Sequence, residues 1–369
     1  MRETKSRKMD FRSGLLINKD MFKKIFSSFS PFLGIDLGTS STLVYLKGSG
    51  IMVNEPSVVA VNQKTGEILA IGREAQQMIG KTPPHIAAVQ PLINGVISDF
   101  ELTEEMLKYF FRQFRKSSLG VLPHRPTVVV GVPCGVTEVE RKAVEDAAYN
   151  AGAGQVYLIE EPMAAAIGSR LPIFEPTGNI ILDIGGGTSE VAVISLGGIV
   201  RSRSLKVAGQ KFNDDIIKYV RDEYRLLIGE PTAEQAKISI GSAKPLAEKL
   251  ETAVRGRDLS TGLPKEIIIN SQEIAKALDK SLKTLIEAIH STIEETPPEL
   301  VADIYLKNIW LSGGGSLLRG LERLIEDYCE IPVQLVDDPL TAVVRGTGMI
   351  LEDLDKFKKI LIYEEKSTG

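Results

Sequence analysis

The sequence predicts an α/β protein in which one strand–loop–strand unit occurs twice around a ligand cleft. Residues 180–194 read as a strand that ends in an aspartate, a turn of three glycines and a second strand. Residues 33–46 repeat this order with aspartate, glycine and threonine at matched offsets, and an internal repeat of this kind indicates a duplicated fold. The continuous apolar run TVVVGV at 127–132 is typical of a strand buried on both faces of a largely parallel sheet.

The two hairpins suit phosphate and magnesium. Glycines allow a close backbone approach to a ligand, and successive amides in such a turn form an anion site. Asp36 and Asp183 end the first strand of each hairpin, and Mg²⁺ commonly sits between carboxylates and phosphate oxygens. One hairpin alone would fit equally well as a tight structural turn. The second copy favours two phosphate loops that face each other, formed by Gly38, Thr39, Ser40 and Ser41 and by Gly185, Gly186, Gly187 and Thr188.

Composition limits the function classes. The chain has 369 residues, of which 43% are hydrophobic and 25% charged, as expected of roughly two globular domains. The net charge of −4 does not indicate a nucleic-acid-binding body. Cys134 and Cys329 form no disulfide framework or metal spacing and are expected to be reduced in a cytosolic protein. No apolar stretch approaches the ~20 residues of a membrane span, and no signal peptide is expected.

The N-terminus has a different character. Residues 1–24 carry eight basic and three acidic side chains. Residues 21–30 predict a short helix that Pro31 ends. Its apolar stripe and adjacent lysines favour contact with an anionic membrane surface; the stripe contains Phe22, Ile25, Phe26 and Phe29. A helix packed on its own domain and a disordered tail are the alternatives, and either Met1 or Met21 could be the start.

A second candidate membrane contact lies between residues 115 and 125. Leu119, Val121 and Leu122 stand there in a polar loop that basic residues flank. Exposed apolar side chains ringed by cations suit a membrane surface. Packing of these side chains beneath their own loop is the alternative.

The first half otherwise alternates strands and helices. Strands are predicted at 50–61 and 68–71, and helices at 73–79, 103–114 and 136–151, with Thr103 and Thr137 as caps. A strand at 156–160 then leads to Glu161 and a further helix. Open α/β sheets bind ligands at such strand ends. Glu161 is therefore a candidate for positioning the water that attacks a terminal phosphate; its alternative role is a carboxylate favoured by the helix dipole.

The second half contains a further candidate ligand loop. A helix at 210–225 precedes a helix on which Glu234 and Lys237 share a face, suited to a ribose or to a plain surface ion pair. Strands with turns at Gly256 and Gly262 and a long helix at 271–295 follow. A strand at 309–311 then enters a glycine loop, Gly313, Gly314 and Gly315, before a helix at 317–328. Such a loop suits a nucleoside, and closing helices are predicted at 341–352 and 354–361.

These motifs, in this order, resemble the actin–chaperone–sugar-kinase ATPase superfamily, and most closely its bacterial actin (MreB/Mbl) family. The resemblance runs from about residue 33 to about 361 through DLGTSST, NEPSVVAV, NGVISDF, EEPMAAAIG, DIGGGTSEV, RGRDLSTGLP, TPPEL and LSGGGSLLRGL. Two departures stand out. The family usually has TANT where this chain has TSST at 39–42, and it usually has glutamate where this chain has Ser239.

The resemblance implies roles for the candidate residues. Asp36 and Asp183 would hold hydrated Mg²⁺, and the two hairpin loops would line the phosphates of ATP. Glu161 and Thr188 would order the attacking water. Glu234 and Lys237 would meet the ribose, and the loop at 313–315 the adenosine.

The resemblance also implies an actin-like, ribonuclease H-like duplicated fold, with two domains of two subdomains around a nucleotide cleft. Residues 1–31 would form an extension with the helix at 21–30. Domain I would comprise 32–175 and 342–369, with an insertion at about 62–97. Domain II would comprise 176–341, with an insertion at about 212–272.

The implied function is a cytoskeletal ATPase that hydrolyses Mg-ATP slowly as it polymerises. Its partners would be other copies of itself in paired filaments, the inner face of the cell membrane, and membrane proteins of the cell-wall elongation machinery. These filaments would maintain rod shape. A sugar or acetate kinase would need a second-substrate pocket with a catalytic acid, for which no motif is found. A chaperone-type ATPase would need a further C-terminal domain, which is not expected here.

Overall fold

The computed structural model describes residues 30–115 and 125–362. The predicted membrane residues Phe22, Ile25, Phe26, Phe29, Leu119, Val121 and Leu122 lie outside this part of the chain. The strands are β1 (Phe32–Leu37), β2 (Ser41–Leu46), β3 (Gly50–Pro56), β4 (Val59–Asn62), β5 (Ile68–Ile71), β6 (Ile86–Val89), β7 (Leu92–Ile93), β8 (Val96–Ile97), β9 (Thr127–Val132), β10 (Gln155–Glu160), β11 (Asn179–Ile184), β12 (Ser189–Ser195), β13 (Gly198–Leu205), β14 (Leu226–Leu227), β15 (Glu251–Asp258), β16 (Pro264–Asn270), β17 (Ile309–Ser312) and β18 (Val333–Leu335).

Helices connect and cover these strands. They are α1 (Arg73–Gln76), α2 (Phe100–Arg115), α3 (Glu138–Asn150), α4 (Glu161–Gly168), α5 (Gly209–Tyr224), α6 (Glu230–Ile240), α7 (Ser271–Glu294), α8 (Pro298–Tyr305), α9 (Leu321–Cys329), α10 (Ala342–Glu352) and α11 (Leu354–Phe357), with short 3₁₀ turns at Gly314–Leu317, Pro339–Thr341 and Lys358–Ile360. None of the described helices is long and apolar enough to cross a bilayer.

Two five-stranded sheets share one topology. The first has the order β10-β9-β1-β2-β3 and the second β18-β17-β11-β12-β13. In each sheet, the first three strands in this order are parallel, and the third of them is the first strand of the hairpin. The hairpin strands pair antiparallel, as do the last two strands of the sheet. The duplicated fold predicted from the repeated hairpin is therefore confirmed.

Two helices lie between the sheets. A single apolar core joins α4 and α10 to Val129 on the first sheet and Ile181 on the second. Glycines allow the close approach, since a Cβ added at Gly346 of α10 would overlap the backbone carbonyl of Ala164 in α4. Helix α10, which follows the second sheet in the chain, thus packs against α4, which follows a strand of the first sheet.

Smaller sheets extend from each half. Strands β5-β4-β6 form one, with α1 beside it, and β14-β15-β16 form another, next to α6. The insertions predicted at about 62–97 and 212–272 cover most of these strands, although β4 begins at Val59. The exact domain limits stay a prediction.

Some local predictions were wrong. Thr103 does not cap α2: its hydroxyl donates to the Asp99 carbonyl at 2.7 Å inside the helix, while Asp99 Oδ1 accepts from the Leu102 amide at 3.0 Å. Gly256 lies within β15, opposite Lys265, rather than in a turn. The helix after the third glycine loop begins at Leu321, because a 3₁₀ turn takes up residues 314–317.

Candidate phosphate-binding site

Asp36 and Asp183 occupy equivalent places in the two sheets. Asp36 lies on β1 between Gly131 of β9 and Leu43 of β2. Asp183 lies on β11 between Ser312 of β17 and Glu190 of β12. Each aspartate thus stands near the carboxyl end of a central strand, the edge at which α/β sheets bind ligands.

The two glycine loops meet directly. A Cβ added at Gly186 would overlap Ser40 Oγ, and one added at Gly187 would overlap Thr39 Oγ1. Only glycine fits at these two positions without displacing the opposite loop. The structure therefore brings the two predicted phosphate loops together, one from each sheet.

Hydrogen bonds to backbone carbonyl groups fix each loop in place. In the first, Ser57 Oγ donates to the Gly38 carbonyl at 2.6 Å. In the second, the amides of Gly209 and Gln210 donate to the carbonyls of Gly185 and Gly186 at 3.1 and 2.8 Å. The second loop is consequently fixed to the first turn of α5.

A third turn, which sequence reasoning did not assign to the site, lies against both loops. Asn94 and Gly95 join β7 to β8 with φ of 52° and 78°. The Gly95 amide donates to Thr39 Oγ1 at 2.8 Å, and a Cβ at Gly187 would lie 2.9 Å from Asn94 Cα. The Asn-Gly pair between apolar residues is a hairpin signal visible in the sequence; its place between two distant loops is not.

Four carboxyl groups converge here. Glu161 is the first residue of α4 and Glu190 lies in the middle of the site on β12; they are 8% and 0% exposed. Their neighbours are Asp36 and Asp183, which interact electrostatically with Glu161. Glu190 was not predicted, although an acidic residue directly before the apolar run 191–194 was a visible signal.

Burial raises the pKa of each of the four groups, and neighbouring carboxylates raise it further for Asp36, Glu161 and Glu190. Burial and the neighbouring Asp183 raise the pKa of Asp36 to about 7. Burial and Asp183 likewise raise the pKa of Glu190 to about 8. Burial, followed by the charges of Glu190, Asp36 and Asp183, raises the pKa of Glu161 well above its usual value. Burial also raises the pKa of Asp183, against a hydrogen bond from Ser312 that lowers it.

This donor set fits magnesium. Carboxylate oxygens are hard ligands, and a divalent cation would relieve the repulsion that raises these pKa values. Among the described residues no group of three or more His, Cys, Asp or Glu side chains is arranged to hold a metal directly. The pattern matches the usual binding of Mg²⁺ through one or two carboxylates, waters and phosphate oxygens.

Thr188 and Glu161 both reach this region. Thr188 is 7% exposed and its Oγ1 would lie 3.4 Å from a Cβ at Gly95. Glu161 lies beneath Gly131, whose added Cβ would lie 3.4 Å from Glu161 Cγ. The residues predicted to order a water thus border the loops, one from each half.

Glu234 and Lys237 are linked to the second loop. Lys237 Nζ donates to the Gly209 carbonyl at 2.9 Å and to Glu234 Oε2 at 2.8 Å. Asn213 Nδ2 donates to the same Glu234 oxygen at 2.6 Å. Because Gly209 also binds Gly185, this pair belongs to a continuous network that ends at the phosphate loop, and is not an isolated surface pair.

The third glycine loop follows β17, which pairs with the first strand of the second hairpin. Gly313 has φ of 78° and approaches the Ile184 carbonyl so closely that a Cβ would overlap it. A Cβ at Gly315 would overlap the Ile184 side chain, whereas Gly314 is exposed. Arg319, four residues after the loop, contacts α6, since its Nη1 donates to the Ile238 carbonyl at 3.2 Å.

The chain is similar to known proteins over nearly its whole length. The family model described as MreB/Mbl protein matches residues 30–359. The cell shape-determining protein MreB of Escherichia coli K12 is 49% identical over 94% of this chain and 100% of its own length. The cell shape-determining protein Mbl of Bacillus subtilis is 46% identical over 90% of this chain and 98% of its own.

Solved structures show the same fold. MreB5 of Spiroplasma citri bound to ADP is 40% identical with a TM-score of 0.85, covering 90% of this chain and 99% of that one. The same protein bound to AMPPNP has a TM-score of 0.84 and covers 90% of this chain and 98% of its own. A MamK double helical filament subunit, at 22% identity and a TM-score of 0.73 over 88% of this chain and 99% of its own, shares the fold alone.

Proposed function

The chain belongs to the MreB/Mbl family, and from that premise we propose that it is a cytoskeletal ATPase that forms actin-like filaments and determines cell shape. The relatives are named for cell-shape determination, and a 40% identical structure binds ADP or AMPPNP. One observation carries the proposal most directly: two glycine loops, one from each half of a duplicated fold, meet with Asp36 and Asp183 beside them.

Phosphoryl transfer depends mainly on positioning and charge neutralisation. We assign the phosphates to the loops at 38–41 and 185–188. Asp36 and Asp183 would hold Mg²⁺ through water, and when bound that ion would neutralise charge on the phosphate oxygens. Glu161, whose raised pKa makes it a better proton acceptor than an exposed glutamate, would orient the attacking water with Thr188.

The nucleoside would lie on the opposite side of the second hairpin. Glu234 offers a carboxylate to the ribose hydroxyls, and its position is fixed by Asn213 and Lys237. The loop at 313–315 presents backbone to the adenosine. Ser239, where the family usually has glutamate, is exposed and its hydroxyl donates to the Ala236 carbonyl at 3.2 Å; nothing in the structure explains this replacement.

We assign three partners to the chain: further copies of itself in paired filaments, the inner membrane surface, and membrane proteins of the cell-wall elongation machinery. The family supports self-association. The basic N-terminal segment with Phe22, Ile25, Phe26 and Phe29, and the loop with Leu119, Val121 and Leu122, support peripheral attachment to the inner face of the membrane.

Co-sedimentation with anionic liposomes in Mg-ATP, followed by electron microscopy of the pellets, tests the proposal. We expect paired filaments on the liposomes. The Phe22→Glu/Phe26→Glu variant should still assemble but leave the membrane, while Ser27→Glu, which adds charge on the opposite face of the predicted helix, should stay bound. Nucleotide binding without filaments under any condition would overturn the cytoskeletal assignment. Unchanged membrane binding by the double variant would overturn the N-terminal anchor alone.

A further inference from the structure

Glu190 connects the two halves at the site. It lies on β12 of the second sheet and is 0% exposed. Its Oε1 accepts a hydrogen bond of 2.9 Å from the amide of Cys134. Cys134 follows β9 of the first sheet, so this bond crosses from one half of the molecule to the other.

The second oxygen of Glu190 has no hydrogen-bond partner among the described residues. Oε2 is buried, and the Ser204 hydroxyl, opposite Glu190 on β13, lies close enough to lower the pKa of Glu190 without reaching hydrogen-bond geometry. Leaving a buried acceptor unpaired costs about 1–3 kcal/mol, and more when it is charged. Native proteins generally satisfy such groups with an ordered water or a ligand.

The surroundings of this oxygen favour water. Asp183 lies directly across from Glu190 on β11, and Glu161 and Glu160 are the nearby acidic groups from the first half. Carboxylates supply acceptors and no donors when ionised. A water both donates and accepts hydrogen bonds, so one molecule can join Glu190 to Glu161, a group from each half, whether or not either carboxyl holds a proton.

We propose that Glu190 is a further positioning residue for hydrolysis: its Oε1 is fixed by the Cys134 amide, and its Oε2 holds a water beside Glu161. The inference rests on the ATPase activity proposed above. It adds a requirement to that activity, because the water is placed correctly only while the Cys134 amide fixes the Glu190 side chain.

Two substitutions separate the roles. Glu190→Gln keeps an oxygen that accepts from the Cys134 amide but replaces Oε2 with an amide NH₂, which cannot accept a hydrogen bond from water. Glu190→Ala removes both. Glu145→Gln serves as the control, since Glu145 is also buried, at 7% exposure, but lies on α3 paired with Lys142.

The measurements are AMPPNP affinity, single-turnover phosphate release from Mg-ATP, and hydrogen exchange at the Cys134 amide. For Glu190→Gln we expect unchanged AMPPNP affinity, retained amide protection and phosphate release slowed at least about tenfold, below the 10²–10⁴ of a full acid–base group. Glu190→Ala should also lose the amide protection. Glu145→Gln should match the unmodified chain in all three.

Unchanged phosphate release by Glu190→Gln would overturn this inference and leave the ATPase proposal standing. Equal loss of AMPPNP affinity in both Glu190 variants would also overturn it, because a structural role explains that result. Absence of hydrolysis by the unmodified chain would instead overturn the proposed function, and this inference with it.

Discussion

At the scale of the residue, the site is governed by acids whose charge is uncompensated. Burial and Asp183 raise the pKa of Asp36 to about 7, and burial and Asp183 raise the pKa of Glu190 to about 8. Such acids hold protons more tightly in the folded chain than in the unfolded one. Their contribution to stability is therefore complete below about pH 4 and is lost as the pH rises through about 7 to 8.

We expect the melting temperature of the nucleotide-free chain to fall between pH 5 and pH 8. Mg-ADP should reduce this slope, because a cation stabilises the ionised carboxylates. Differential scanning calorimetry at several pH values, with and without Mg-ADP, measures both effects. Asp36→Asn, which removes one of the titrating groups, should flatten the slope without ligand. A melting temperature that rises over this range would contradict the assignment.

The Asn94–Gly95 turn gives a second prediction at the scale of the residue. Gly95→Ala should weaken AMPPNP binding at least about tenfold, which is ~1.4 kcal/mol, because its Cβ would lie 2.6 Å from Pro133 Cγ and 3.2 Å from Thr188 Cγ2. The clash would displace the turn that binds Thr39. Isothermal titration calorimetry measures the change.

The chain supplies a matched control for this variant. Gly66 has φ of 73°, close to the 78° of Gly95, but no atom within 4 Å of an added Cβ. Gly66→Ala should lose about 1–2 kcal/mol of unfolding free energy from the left-handed backbone alone and keep full affinity. Equal affinity in the two variants would show that the Asn94–Gly95 turn does not support the phosphate loops.

At the scale of the element, the contact between α4 and α10 holds the two sheets together. Helix propensity alone predicts that Gly346→Ala stabilises α10 by about 1 kcal/mol. Packing predicts the opposite, since the new methyl group would overlap the Ala164 carbonyl. We expect the variant to be destabilised by about 1–3 kcal/mol in urea denaturation, as overpacked cores are. Gly198→Ala, at an exposed position where the nearest atom to an added Cβ is 3.8 Å away, should change stability by about 0.5 kcal/mol or less.

Elements defined by local chemistry were predictable, and those defined by contact were not. The two hairpins were found because aspartate, glycine and threonine recur at fixed offsets in the chain. Thr137 was a correct cap, with the Glu140 amide donating to its hydroxyl at 3.2 Å. The Asn94–Gly95 turn and Glu190 were missed, because their roles come from bonds to Thr39 and Cys134, each about 56 residues away.

At the scale of the whole molecule, the candidate site is shared between the two halves. Asp36 and Glu161 come from elements of the first half, and Asp183 and Thr188 from the second. A ligand in contact with all of them would stabilise the arrangement in which the halves meet, by mass action on that state. We infer that nucleotide binding, rather than hydrolysis, sets the shape of the molecule that assembles.

This inference gives the last prediction. Glu161→Gln removes the proposed proton acceptor, while its side chain keeps nearly the same volume at a position 8% exposed. We expect it to bind AMPPNP as the unmodified chain does and to assemble in Mg-ATP, with phosphate release slowed by about 10²-fold or more. Light scattering and phosphate release, recorded in the same sample, would then show filaments that persist after those of the unmodified chain disassemble. A variant that binds nucleotide yet fails to assemble would show that hydrolysis, and not nucleotide binding, drives filament formation.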